Sequence, residues 1–139
     1  MNEPPTMTKG ALMRKRVLTV ILWLLTAFLV LMFVNAGYPK FSDSSRWTQA
    51  FAVWGYPAWF RVLVGSVEVV GAALLLVPRT ALFAAAALSV IMLGGMGTHV
   101  FHGDPGAMYH EAIPLALLAT VAYLRRREAK AKQEPSKSG

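Results

Sequence analysis

Glu68 is the residue that most constrains what this chain can do, because it is the single charge in an apolar run from Val62 to Val77. An acidic or basic side chain at the middle of a membrane helix costs roughly 2.5–3.5 kcal/mol, while each Leu or Val returns about 0.3–0.6 kcal/mol. The ten Val and Leu residues of that run offset the cost, so insertion is feasible, but the carboxyl is driven away from lipid toward a cavity or a polar partner. Arg61, Gly65, Glu68 and Ala72 recur at spacings of four, three and four, which places small residues on both sides of the carboxyl and lets a second backbone approach. Arg61 lies seven residues from Glu68, about 10 Å along a helix at 1.5 Å per residue, beyond the reach of a direct pair without snorkelling. Two readings follow: an interhelical hydrogen bond from a neutral carboxyl that fixes packing, or a ligand site in a cavity.

Other polar groups gather toward the same end of the chain's apolar segments. Ala85, Ser89, Met92, Met96 and His99 share one helical face, which brings His99 just inside the membrane boundary. Glu111 and Pro114 open the last apolar segment, and Lys40 follows the first. The candidate polar pocket is therefore Glu68, His99, Lys40, Arg61 and Glu111, opening outward with Glu68 deepest. No catalytic residue is assigned. A metal site at His99, His102, Asp104, His110 and Glu111 is set aside, because the spacing is not that of a zinc motif and a polar turn over Gly103 to Gly106 accounts for most of these residues. Haem is set aside because only His99 reaches membrane depth. The methionines read as packing.

The elements that position these residues are membrane helices. The chain has 139 residues, 55% of them hydrophobic and 15% charged, with a mean hydropathy of +0.47. A helix needs about 20 largely apolar residues to cross a hydrocarbon core roughly 30 Å thick. Arg16 to Gly37, Ala58 to Pro78, Thr80 to Phe101 and Ala107 to Leu124 each qualify, leaving no room for a soluble domain. The expected fold is an all-α, integral membrane four-helix bundle. Its parts are a basic N-terminal segment over 1–16, a membrane domain over 17–124 and a basic tail over 125–139.

Charge sets the orientation. Lys9, Arg14, Lys15, Arg16, Arg79 and the basic residues from Arg125 onward make eleven of the fourteen Lys and Arg, and all fall on one side after an even number of crossings. That is the positive-inside pattern, with both termini expected in the cytoplasm. The net charge of +7 is thus topogenic, and no nucleic-acid partner is expected. The basic run at the C-terminus could rest on anionic headgroups. Val17 to Val34 exceeds the apolar core of a secretory signal, so the first helix is expected to be retained despite the small residues near Ala36.

The first sixteen residues, which begin polar with Pro4, Pro5 and two threonines, read as mobile up to the basic cluster. Thr19 and Thr26 can bond their own helix's carbonyls, and Asn35, Gly37 and Pro39 end that helix. In the loop that follows, Asp43, Ser44 or Ser45 can cap a short helix in which Trp47, Phe51 and Trp54 form one stripe. A helix lying on the membrane surface is the first reading and a lid over a cavity the second; Tyr38, Tyr56, Trp59 and Tyr109 continue an aromatic belt. Arg125 to Arg127 are expected to stop the last span. Cysteine is absent, which removes disulfides, thiolate nucleophiles and cysteine-ligated clusters.

Several short patterns then occur in order. They are Gly37-Tyr38-Pro39-Lys40, Gly55-Tyr56-Pro57, Gly65-Ser66-Val67-Glu68-Val69-Val70-Gly71, an alanine-rich third span ending in Thr98-His99, and Pro114 before the final apolar run. Together they resemble the DoxX-like branch of the DoxX family, small bacterial membrane proteins with four spans. The resemblance implies a link to quinone-associated sulfur oxidation or to membrane complexes that handle oxidative stress, and without cysteine no thiol chemistry can reside in this chain. The expected function is a non-catalytic membrane subunit that shelters a quinone or lipid-like molecule or docks a redox partner protein. A small proton-coupled transporter, built as a homo-oligomer, and a structural assembly factor are the alternatives. Quinone is the only cofactor entertained, and the lipid bilayer is the first partner.

Overall fold

The computed structural model describes residues 6–133. The polar start at Pro4 and Pro5 and the tail residue Lys137 lie outside the described residues. Five helices follow one another: α1 (Lys9–Gly37), α2 (Arg46–Val53), α3 (Ala58–Leu75), α4 (Ala81–Phe101) and α5 (Tyr109–Gln133), with 3-10 turns at Tyr38–Phe41 and Pro105–Met108. The described chain is all-helical, without a strand. Four of the helical segments are long and apolar enough to cross a membrane, and α2 lies in the connection between the first two.

Each spanning helix packs on two neighbours: α1 on α3 and α5, α4 on α3 and α5. The result is a closed ring of four in which α1 and α4 stand diagonally opposed. Periodicity dictates the inward faces. Leu22, Thr26, Leu29, Phe33 and Gly37 recur along α1 at spacings of four, three, four and four, and all are buried. They meet Ala72 and Leu75 of α3, Ala84, Ala85, Leu88 and Met92 of α4, and Leu118 and Val121 of α5 in one continuous core. The opposite faces carry exposed Leu24, Leu31, Val70, Phe83 and Val90. Such a contiguous apolar exterior would be a large liability in water and is what a hydrocarbon surround requires. The protein is therefore a multi-pass integral membrane protein. Thr26 donates to the carbonyl of Leu22 at 2.7 Å and Thr19 to that of Lys15 at 3.0 Å, which satisfies both hydroxyls within α1.

Glycine sets one helix crossing. A Cβ added at Gly65 would stand 2.9 Å from the Gly37 carbonyl oxygen and 2.9 Å from Cβ of Lys40, so the end of α1 rests directly on the backbone of α3. Only two residues without side chains permit that approach. Its consequence is to hold the Tyr38–Phe41 turn, and with it Lys40, above α3.

The first and last helices extend beyond the bounds read in the sequence. The first helix starts at Lys9, capped by Thr8, whose hydroxyl accepts from the amide of Ala11 at 3.3 Å; the basic cluster is helical rather than loose. The last helix does not stop at Arg125 to Arg127 but runs to Gln133, because Arg, Glu, Ala, Lys and Gln are strong helix formers and no Gly or Pro interrupts them. Residues 17 and 124 thus mark a change in hydropathy, not in backbone. Arg125 is itself buried, its guanidinium 4.7 Å from the centre of the Trp23 ring on α1. The short loop helix has Ser45 at its cap position, yet the Ser45 hydroxyl bonds nothing and is buried; Thr48 instead donates to the carbonyl of Ser42 at 3.1 Å.

Candidate functional site

Lys40 sits on the 3-10 turn that ends α1, and its side chain runs back along that helix. Its Nζ donates to the carbonyl of Ala36 at 3.0 Å and to Oε2 of Glu68 at 2.6 Å. The ammonium also lies 4.1 Å from the centre of the Trp47 ring, within cation–π range. Both charged side chains are only 4% exposed. Glu68 therefore has a counter-ion inside the bundle, where the sequence left open a packing hydrogen bond or a ligand site. The pairing spans twenty-eight residues and depends on the Gly37–Gly65 contact.

Arg61 points elsewhere. One guanidinium nitrogen donates to the carbonyls of Lys40 and Ser42, and the other donates to Oδ1 of Asp43 at 2.8 Å. Asp43 is almost fully exposed, so that ion pair contributes little; the bonds to the two carbonyls do the fastening. Arg61 is thus a staple that ties the loop to α3.

The aromatic stripe of α2 faces inward. Phe51 is buried, with ring centres 5.6 Å from Trp54, 5.8 Å from Tyr56 and 6.3 Å from Phe60. Trp47 covers Lys40, and Trp54 meets the His99 ring edge to face at 5.4 Å. The helix consequently lids the bundle, with its aromatic stripe turned onto the polar groups beneath it. The reason is local: the ammonium and the imidazole offer the indoles partners that acyl chains lack. Gly55, at φ of 78°, makes the backward turn after α2, a conformation that a side chain disfavours. Tyr56 then anchors the loop to α4 through a 2.9 Å bond with Thr98. Thr98 gives its own hydrogen to the carbonyl of Gly94 at 3.0 Å, so the phenol is the donor.

His99 and Glu111 make a second acid–base pair. Nε2 of His99 lies 3.5 Å from Oε1 of Glu111, and its Nδ1 lies 4.0 Å from Oδ2 of Asp104. Gly95 makes room for this carboxylate, since a Cβ there would fall 2.9 Å from Cγ of Glu111. The second carboxylate oxygen, Oε2, is buried without a hydrogen-bond partner.

These groups surround one cavity of about 350 Å³. Lys40, Glu68, His99 and Glu111 line it together with Trp47, Phe51, Trp54, Tyr56 and Phe60. Four of the five polar residues singled out in the sequence are thereby brought together, and Arg61 is not among them. Val90, two-thirds exposed, and Gly94 form part of the wall, so the cavity reaches the lipid-facing side of α4. The aromatic wall corresponds to the second reading of the Trp47, Phe51 and Trp54 stripe, a lid over a cavity; the spacing signalled the stripe, but an amphipathic pattern does not say what it faces. The remaining histidines stand apart, His102 bonded to the carbonyl of Thr98 at 2.8 Å and His110 stacked on Tyr109 at 4.0 Å. Among the described residues no three His, Asp or Glu side chains converge as metal ligands.

A closed ring of four apolar helices under a short amphipathic lid defines a small multi-pass membrane protein with a polar chamber at one end. A family model described as the DoxX-like family matches residues 24–123, and the chain belongs to that family. All four polar residues of the cavity fall within the matched region. No curated protein and no solved structure matches the chain.

Proposed function

We propose that this protein is a non-catalytic membrane subunit whose cavity holds the ring of a quinone or a similar lipid-like molecule. The observation that carries this reading is the cavity itself, an aromatic-walled space of about 350 Å³ with two acid–base pairs on its lining. Pockets for small ligands span roughly 300–1,000 Å³, mostly apolar with a few converging polar groups. Flat rings suit walls of Trp, Phe and Tyr, and the polar pairs fix how a substituted ring lies between them.

The core argues for holding over conducting. Toward the far end of the bundle Leu29, Leu75, Leu88 and Leu118 are completely buried, which makes the chamber a cul-de-sac in the single chain. A transport pathway would have to open that plug. The charge pattern supports an orientation with both termini in the cytoplasm and the chamber on the outer side of a bacterial inner membrane.

The test is extraction of lipophilic compounds from protein purified out of its native membrane, with quinone quantified for wild type and Glu68→Gln. Stoichiometric quinone in the wild type that falls in the variant supports the reading. Equal amounts in both, or none in either, overturns it.

A further inference from the structure

A second recess lies at the other end of the bundle, between α4 and α5. It encloses about 330 Å³ over a floor of Ala85, Ala86 and Ser89 from α4 and Ala119 and Ala122 from α5, with Arg126 at one end. The two helices run antiparallel, so the start of α4 lies beside the end of α5, and Leu82 and Arg126 mark the mouth. From Leu82 to Ser89 the recess runs about 10 Å at 1.5 Å per residue, against about 15 Å for the hydrocarbon of one leaflet. Ala86 and Ala119 are exposed, which opens it toward lipid. The Ser89 hydroxyl donates to the carbonyl of Ala85 at 2.7 Å, so nothing at depth calls for a polar partner. The recess is an apolar groove with a cation at its mouth.

Positive charge gathers at that same end. The basic clusters over 14–16 and 125–127, with Arg79 just ahead of α4, stand against one described carboxylate, Glu128. Glu128 is already engaged, its Oε1 accepting from Thr19 at 3.4 Å and its Oε2 lying 3.8 Å from Arg125. The Arg125 side chain is 6% exposed with Nε and Nη2 unpartnered, so its charge is only partly answered and adds to the field around the mouth. Arg126 is exposed and makes no hydrogen bond or ion pair among the described residues. A second copy seated on this groove in the same membrane orientation would bring its own arginine cluster against this one, like charge on like charge. A phospholipid of net negative charge brings the missing sign at the height of Arg126 and an acyl chain at the height of the groove. Basic pockets between membrane helices recognise such headgroups.

We infer that the groove between α4 and α5 is a binding site for an anionic phospholipid, with one acyl chain over the alanine and serine floor and the phosphate on the Arg126 guanidinium, which can offer it paired N–H donors. Lipid tails are as apolar as leucine, so the groove fixes where the chain lies and the headgroup supplies the preference. The site lies toward the opposite leaflet from the chamber and does not depend on what the chamber holds.

Native mass spectrometry of the full chain, delipidated in a neutral detergent, compares binding of the first added dioleoyl phosphatidylglycerol with that of dioleoyl phosphatidylcholine. The anionic lipid is expected to bind about fivefold more tightly, the factor that one basic residue is worth at a headgroup. Arg126→Gln should bring the two affinities within about twofold of each other, whereas Lys132→Gln, which removes the same charge from α5 beyond the groove, should keep a preference of about threefold or more. Ala119→Leu fills the groove from a lipid-facing position with every charge in place, and should weaken the anionic lipid by about threefold or more. Equal affinities for the two lipids, the same loss of preference in Arg126→Gln and Lys132→Gln, or undiminished binding to Ala119→Leu would each overturn the site. Dimers that Ala119→Leu dissolves would assign the groove to a second copy and overturn it as well.

Discussion

Replacing Lys40 with Met removes the ammonium but keeps the length of the side chain, and leaves Glu68 buried with nothing to answer its charge. Both members of the pair are 4% exposed, so solvent screening does not reduce the effect as it does for a surface pair. Breaking a buried ion pair on one side costs about 3–5 kcal/mol, because an uncompensated charge remains. Lys40→Met also loses the bond to Ala36 and the contact with Trp47, which places it toward the upper part of that range. Glu68→Gln is milder, since the ammonium keeps the Ala36 carbonyl and the indole face. The double variant Lys40→Met with Glu68→Gln should recover most of the loss, as exchanging a buried pair for neutral groups is often close to neutral. The assay is a double-mutant cycle on unfolding of detergent-solubilised protein followed by tryptophan fluorescence. A coupling energy of about 2 kcal/mol or more is expected, against up to about 0.5 kcal/mol of non-additivity for independent sites. Losses that simply add would show that Lys40 and Glu68 do not compensate each other, and the account of the buried charge would fail.

Three further outcomes follow from the same architecture. Arg61→Lys keeps the charge but cannot hold two carbonyls in a planar fork, so limited proteolysis should cleave between Phe41 and Arg46 several-fold faster than in wild type; an unchanged rate would remove Arg61 from its role as the loop's fastener. Gly65→Ala inserts a methyl 2.9 Å from the Gly37 carbonyl oxygen and should destabilise by about 1–3 kcal/mol, whereas Gly97→Ala meets nothing within 4 Å and should be neutral or slightly stabilising in thermal unfolding. A green fluorescent protein fused after Gly139 should fluoresce and an alkaline phosphatase fused there should be inactive in bacterial cells; the opposite pair of results would reverse the proposed orientation.

Glu68 was legible in the sequence because the cost of a charge among apolar neighbours leaves it few places to go. The four spans were legible for a related reason: length and hydropathy act locally and need no knowledge of packing. Lys40 could be placed at the correct end but not assigned to Glu68, since that contact depends on where α1 crosses α3. The small-residue pattern around Glu68 hinted at a close crossing without naming Gly37 as its other half. Arg61 shared a helical face with Glu68 and was grouped with it, yet a long guanidinium side chain can turn toward any carbonyls within reach, and those of the loop are nearer. The lid helix shows the same limit, because an aromatic stripe packs equally well against acyl chains or against a protein cavity. Helical propensity carried α1 and α5 past the ends of their apolar stretches, so hydropathy could not mark where either helix begins or stops.

The stretch of wall formed by Val90 and Gly94 faces the hydrocarbon rather than the water. A molecule arriving through that side is already dissolved in the bilayer, and the concentration it obeys is its mole fraction in lipid. Acyl tails are then its standing competitors for the vacant space. A ligand with a long isoprenoid or alkyl tail would thus occupy the chamber at a bulk level far below its nominal dissociation constant, while a tailless analogue of equal intrinsic fit would be outcompeted by the solvent it has to cross.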